Sequence, residues 1–174
     1  METNKAVDIL KPIIRPAETK DCPFLRQMLY EAIFIPEGET KPPLTILDAP
    51  ELSKYVSGWK RIDDVGFIAE IECEALGAAW ARLFENADTG GYGFVDDETP
   101  ELCLAISEKF RGIGVGTALM QALIEELKVL GYKKLSLSVD KANRAVTLYK
   151  RLEFKVIKEQ ETNFLMMKDL RNVN

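Results

Sequence analysis

The sequence predicts an α/β fold of helices layered on a sheet, and three observations predict it. Apolar runs of strand length alternate along the chain with stretches of helical periodicity. The 174 residues contain no internal repeat, low-complexity tract or linker that would divide them. With 47% apolar and 29% charged residues, the chain can both fill a core and cover it with solvated surface. We therefore expect one domain over 1–174, with 1–11 as an N-terminal extension.

Ile13, Ile14 and Arg15 form a first strand, which Pro16 ends because proline cannot donate to a ladder and keeps its predecessor out of the helical region. A helix starts near Asp21 with Pro23 in its first turn; Phe24, Leu25, Met28, Leu29, Ala32 and Ile33 recur at helical spacing. Residues 36–50 read as a long loop over the domain, and 48–59 as a second short helix. Residues 66–73 alternate as a half-buried strand and 77–84 carry the small run GAAWA, so a tight link at Glu74-Ala75 makes a hairpin. The stretch 86–100 holds Gly90, Gly91 and Gly93 around Tyr92, then Asp96, Asp97 and Glu98; it is a turn-rich excursion to which pattern alone assigns no role. A central strand at 102–106 leads to a helix at 114–130, whose apolar face is Ala118, Leu119, Ala122, Leu123, Leu127 and Leu130 and whose cap is Gly131. A strand at 135–139, a helix at 143–152 and strands at 155–159 and 164–168 complete the order.

Composition excludes several classes of function. The chain has no histidine, so neither a His general base nor a His-ligated metal is available. Cys22, Cys73 and Cys103 are scattered and odd in number, which fits small buried hydrophobes better than a disulfide framework or a metal site. A net charge of −5 argues against a nucleic-acid partner, since the basic residues near Lys133 and Arg144 would have to act alone on an acidic body. No stretch approaches the roughly 20 apolar residues of a membrane span, and no signal-peptide pattern opens the chain, so a cytoplasmic protein is expected.

The junction after the central strand carries the chemistry. Arg111, Gly112, Ile113, Gly114, Val115, Gly116 and Thr117 open the long helix, where glycines clear Cβ atoms away and first-turn amides stand unpaired at the positive end of the helix dipole. Such a junction suits a diphosphate. The glycines fall at every second residue, which matches neither the dinucleotide fingerprint nor the P-loop. Read as R-x-x-G-x-G, the segment resembles the GNAT family of acyl-CoA-dependent N-acyltransferases. A second segment, Asn143-Arg144-Ala145-Val146-Thr147-Leu148-Tyr149 followed by Leu152-Glu153-Phe154, is similar to the same family's N-x-A-x-x-L-Y…L-G-F. Glu153 stands where the family usually has glycine, and many members place the asparagine one residue further from the tyrosine.

The resemblance implies a mixed, mostly antiparallel sheet of six to seven strands flanked by about four helices, with a splayed central strand pair that admits acetyl-CoA. It implies that Leu104, Ala105 and Ile106 pair with the pantetheine arm, that 111–117 hold the pyrophosphate, and that Asn143 helps bind the cofactor. It implies acetyl transfer to a primary amine in a ternary complex, with no metal, and leaves room for a homodimer. A non-catalytic CoA-binding or sensing domain is the alternative function.

Two side chains are candidate catalytic groups. Tyr149 could protonate a departing thiolate of pKa about 8.5, the role the family gives its tyrosine, or could be a core aromatic beside Leu148 and Leu152. Glu101, at the start of the central strand, could take the proton of an ammonium of pKa about 10.4, with Asp140 as second choice; either could equally be a solvated strand end. By family analogy a strand amide near 104–106 would hold the developing oxyanion. No histidine activates Cys103, which disfavours a covalent thiol route. Were Glu37, Glu39, Asp96, Asp97 and Glu98 to share one pocket with Trp80, Tyr92 and Phe94, a cationic amine would be the fitting acceptor.

Overall fold

The alternating segments build one mixed sheet in the structure, a computed structural model that describes residues 11–171. The expected N-terminal extension thus lies, apart from Lys11, outside the described residues. The elements are β1 (Ile13–Pro16), α1 (Cys22–Ala32), α2 (Pro50–Ser53), β2 (Val65–Ile71), β3 (Glu74–Arg82), β4 (Glu101–Ile106), α3 (Val115–Val129), β5 (Lys134–Asp140), α4 (Ala145–Arg151), β6 (Lys155–Glu159) and β7 (Asn163–Asp169). The strand order is β1-β2-β3-β4-β5-β7-β6. Neighbours are antiparallel except β4 and β5, which run parallel. This is the mixed, mostly antiparallel sheet with four flanking helices that the sequence reading expected.

The alternation of β4 sends its side chains to two cores. Leu102, Leu104 and Ile106 join the cluster beneath α3 with Leu119, Leu123 and Leu127. Cys103 and Ala105 join the cluster beneath α1 with Leu25, Met28 and Trp80. Helix α3 begins at Gly114, whose φ of +89° no β-carbon-bearing residue adopts cheaply, and Gly131 follows its end at φ +86°. Both helix boundaries therefore rest on glycine, as the sequence pattern requires.

Three expectations are corrected. The β2–β3 link is Glu72-Cys73, not Glu74-Ala75: both residues are left-handed, at φ +48° and +68°, and Ile71 pairs with Glu74 across the turn. Glu-Cys carries none of the Asn or Gly signal that normally marks such a turn, so the pattern placed it two residues late. The second helix shrinks from 48–59 to Pro50–Ser53, preceded by a 3-10 segment at Leu44–Asp48 and followed by turns. Pro16 is inside β1 rather than beyond it, which an edge strand tolerates because one of its sides needs no donor.

Candidate active site

The parallel pair β4–β5 meets at one register position, Glu101 opposite Ser136. The Ser136 amide also donates to the Pro100 carbonyl, at 3.0 Å. Beyond that point 102–106 and 137–140 form no ladder with each other, whereas β4 is paired with β3 along its whole length. The strands thus diverge toward their C-terminal ends and leave one edge of β4 without a partner strand among the described residues. Backbone donors and acceptors on such an edge call for a partner.

The wide end of this gap leads to the glycine loop. Gly112 and Gly114 have φ of +78° and +89°, and a β-carbon at either would meet no atom within 4 Å. Their glycine identity is therefore set by backbone conformation, while the space above them is open to a ligand. The first bond of α3 is Ala118 N–H to the Gly114 carbonyl, at 3.1 Å, so the amides of Val115, Gly116 and Thr117 have no partner inside the helix. Gly116 is set against α4: a β-carbon there would lie 3.5 Å from Leu148 Cδ2. Arg111 donates through Nε to the Ile106 carbonyl at 3.0 Å and lies 3.8 Å from the Glu31 carboxylate, tying the loop to the end of β4 and to α1. Ile113 is exposed, and the Thr117 hydroxyl accepts a long contact from Arg151 at 3.5 Å. Asn143 uses its side-chain oxygen to receive the Ala145 amide at 2.9 Å, which starts α4.

The narrow end is closed. Glu101 is 3% exposed and does not form a solvated strand end. Its Oε1 accepts the Tyr55 hydroxyl at 2.5 Å and the Gly93 amide at 2.7 Å. Its Oε2 is buried with no hydrogen-bond partner among the described residues. Burial raises the Glu101 carboxyl above the ordinary carboxylate range, while the bonds from Tyr55 and Gly93 pull the other way. Asp140, the second candidate, sits at the far end of β5, half-buried, and accepts the Ala142 amide at 2.8 Å.

Tyr149 is 6% exposed and packs within the α3-side core, its ring 5.7 Å from that of Phe154. Burial, with Cys103 nearby, pushes its hydroxyl upward and holds it protonated. Glu101 and Tyr149 therefore stand on opposite faces of the sheet, since β4 sends Glu101 to the same face as Cys103 and Ala105. Burial also raises Cys103, which leaves its thiol protonated and a poor nucleophile.

The single acidic pocket does not form. Glu37 lines a cavity of about 430 Å³ with Phe34, Pro36, Asp140, Lys141 and Glu161, whereas Asp97 lines a second cavity with Arg61, Phe84 and Glu85. Asp96 is paired with Lys134 at 3.3 Å, and Trp80 is wholly buried with its indole N–H donating to the Tyr55 carbonyl at 3.0 Å. The loops carrying these acids pack against different parts of the sheet. Sequence reasoning also missed Tyr55 and the amides of Tyr92 and Gly93. The Gly90-Gly91-Tyr92-Gly93 run held the available signal, because clustered glycines mark close backbone approach.

The residues 26–154 match the acetyltransferase (GNAT) family. The chain belongs to the GNAT family. It is 31% identical over 114 residues to an N-alpha-acetyltransferase from Sulfurisphaera tokodaii, an alignment covering 60% of this chain and 64% of that relative, so it spans under two thirds of the relative's length. Its fold is similar to PaiA N-acetyltransferase from Thermoplasma acidophilum, solved with coenzyme A: TM-score 0.68, 18% identity, 92% of this chain and 99% of that one. It is likewise similar to YncA from Salmonella typhimurium, solved with its cofactor acetyl-CoA: TM-score 0.64, 18% identity, 94% of this chain and 96% of that one. Coenzyme A is the group that membership of this family implies, and the residues present fit it on two counts. The open edge of β4 has backbone groups to offer an extended amide-bearing arm, and the glycine loop has first-turn amides, without an acceptor among the described residues, to offer a diphosphate. Among the described residues no group of three His, Cys, Asp or Glu side chains could hold a metal ion, and no helix is long and apolar enough to cross a membrane.

Proposed function

We propose that this GNAT protein is an N-acetyltransferase that moves an acetyl group from acetyl-CoA to a primary amine by direct attack in a ternary complex. One observation carries the reading: among the described residues, an edge of β4 without a partner strand runs directly into a glycine loop whose first helix amides have no acceptor. The thioester supplies an acyl group activated toward an amine. Leu104, Ala105 and Ile106 run beside the pantetheine arm, Leu104 and Ile106 with backbone groups turned to the open edge and Ala105 with its own turned to Ala78 on β3, and one open-edge amide stabilises negative charge on the acyl oxygen. Arg111, Gly112, Ile113, Gly114, Val115, Gly116 and Thr117 form the pyrophosphate cradle, the guanidinium holding the loop's shape through Ile106. Asn143 borders the cofactor by setting the start of α4.

Glu101 takes the proton that the acceptor ammonium must lose before its nitrogen can attack, directly or through water. A carboxyl raised by burial is a better base than an exposed one. Tyr149, held protonated by burial, directs its hydroxyl hydrogen to the departing sulfur and stabilises the thiolate, which takes up the proton as the C–S bond breaks; burial keeps the donor in place but makes it a weaker acid than a free phenol. The acceptor class follows from the family, and a free α-amino group is the first to test because the Sulfurisphaera relative bears the name N-alpha-acetyltransferase. The same reading places the protein in the cytoplasm, requires no metal, and is compatible with a homodimer.

Isothermal titration tests the proposal, with acetyl-CoA as ligand and NADH and ATP as controls. Micromolar binding of acetyl-CoA alone, followed by release of CoA thiol in the presence of a peptide with a free α-amino group, is the expected result. Absence of binding by the folded protein would overturn it. The burial of Glu101 favours one second reading, a CoA-binding or sensing domain without turnover. Binding without thiol release across peptide, lysine and polyamine acceptors would select that reading.

A further inference from the structure

We propose that Tyr55 is the positioning residue for Glu101: its hydroxyl, oriented by the Tyr92 amide, occupies one carboxylate oxygen and directs proton uptake to the other. This rests on the reading of Glu101 as the base. The geometry is a relay of three donors. Tyr92 N–H donates to Tyr55 Oη at 2.8 Å, Tyr55 O–H donates to Glu101 Oε1 at 2.5 Å, and Gly93 N–H donates to the same oxygen at 2.7 Å. With its oxygen engaged by the Tyr92 amide, the hydroxyl has its hydrogen turned toward the carboxylate. Oε1 is then doubly hydrogen-bonded and weakly basic, while Oε2, buried and without a hydrogen-bond partner among the described residues, keeps its lone pairs for a proton.

The surroundings hold this arrangement in place. A β-carbon on Gly91 would lie 2.0 Å from Tyr55 Oη and 2.6 Å from Glu101 Oε1, and one on Gly93 would lie 2.9 Å from the β5 backbone at Leu137 and Ser138. The loop therefore closes over the carboxylate only because these two residues are glycine. Lys54 Nζ donates to the Gly90 carbonyl at 2.7 Å, and Trp80 Nε1 donates to the Tyr55 carbonyl at 3.0 Å, so both sides of the relay are anchored. The charged and titratable groups facing Glu101 are few. Lys54 and Tyr55 face it from the segment after α2, and Cys103 from β4 itself. Arg82 is its register partner on β3 and is held by Asp64 at 2.7 Å; β5 offers only Ser136. Burial keeps the Tyr55 hydroxyl protonated, so it remains a donor across the working pH range.

The sign of the effect follows from the bond. A donor to a carboxylate stabilises its charged form, so Tyr55→Phe raises the Glu101 pKa. The acid limb of turnover with acetyl-CoA and a peptide bearing a free α-amino group then moves to higher pH by roughly one to two units, the size expected for one bond to a charged group. The carboxyl carbon of Glu101, followed by 13C NMR without any acceptor, moves by the same amount. Tyr55→Phe keeps the ring that packs edge-on against Phe84 at 5.8 Å between centroids. In the double variant Tyr55→Phe with Glu101→Gln, turnover equals that of Glu101→Gln alone, because Tyr55 acts only through the carboxylate. A limb and NMR titration unmoved in Tyr55→Phe, or a double variant at least tenfold slower than Glu101→Gln, would overturn the proposal. A limb that persists unchanged in Glu101→Gln would instead overturn the assignment of Glu101 as base, while the NMR shift still reports whether Tyr55 controls its proton.

Discussion

The two glycine loops flanking β4 look alike in sequence and differ in kind. At the narrow end, Gly91 and Gly93 are glycine because other atoms already fill the space a β-carbon would need: 2.0 Å from Tyr55 Oη at one position and 2.9 Å from the β5 backbone at the other. At the wide end, Gly112 and Gly114 have nothing within 4 Å, and their φ angles of +78° and +89° are what favour glycine. The first loop is closed onto a carboxylate, the second is open onto solvent. Glycine thus serves contact in one place and conformation in the other, and the second leaves open space above the backbone where a diphosphate could sit.

Substitutions separate the two kinds. The largest effect is expected from Gly114→Glu, which sets a carboxylate in the proposed diphosphate site. Isothermal titration should show acetyl-CoA affinity falling at least 100-fold, about 2.7 kcal/mol, in a protein that still melts cooperatively. Tyr149→Phe should lower turnover by about 100-fold, the lower end for loss of a general acid, while the same titration gives unchanged acetyl-CoA affinity. Equal loss of binding and turnover would show that Tyr149 is a packing residue.

Gly91→Ala tests the closed loop. Its β-carbon cannot be accommodated without moving Tyr55 or Glu101, so the variant should lose about 2 kcal/mol and melt about 4–8 °C lower. Gly112→Ala tests the open one. It meets no atom and bears only the left-handed backbone cost of about 1 kcal/mol, a drop of about 2–4 °C by thermal melting. If Gly112→Ala proved the more damaging to stability, the contrast between the loops would fail.

The last expectation concerns pH. Because burial raises Glu101 in the folded state, its protonated form favours folding: that contribution is fully present below the ordinary value of 4.5 and is lost as pH rises through the raised one. Glu101→Gln mimics the neutral acid, so its melting temperature relative to the parent protein should rise from pH 5 to pH 8. A difference independent of pH would mean that Glu101 titrates as an ordinary carboxyl.

Much of the molecule was legible before folding. Helix α3 was readable because its apolar residues recur at helical spacing between two glycines, and β6 matches the expected 155–159 in full. The hairpin link was misplaced because Glu72-Cys73 takes left-handed angles that its side chains do not advertise. Glu153 shows the reverse: it stands where the family usually has glycine, and it adopts φ +66° with its carboxylate 3.0 Å from Lys168 Nζ. The departure therefore touches backbone and ion pairing more than chemistry.

The candidate site divides along the same line. The sequence by itself determined the glycine junction, the strand before it, the helix after it and the tyrosine on α4. These depend on periodicity and backbone preference, which act between residues a few positions apart. The tertiary structure alone decided that β4 and β5 part after one register position, and that Glu101 is buried rather than solvated. It alone brought Tyr55 to Glu101 across 46 residues, with the amides of Tyr92 and Gly93 beside them. Hydrogen-bond partners at that separation are chosen by which surfaces pack together, and no local pattern of residues encodes that choice.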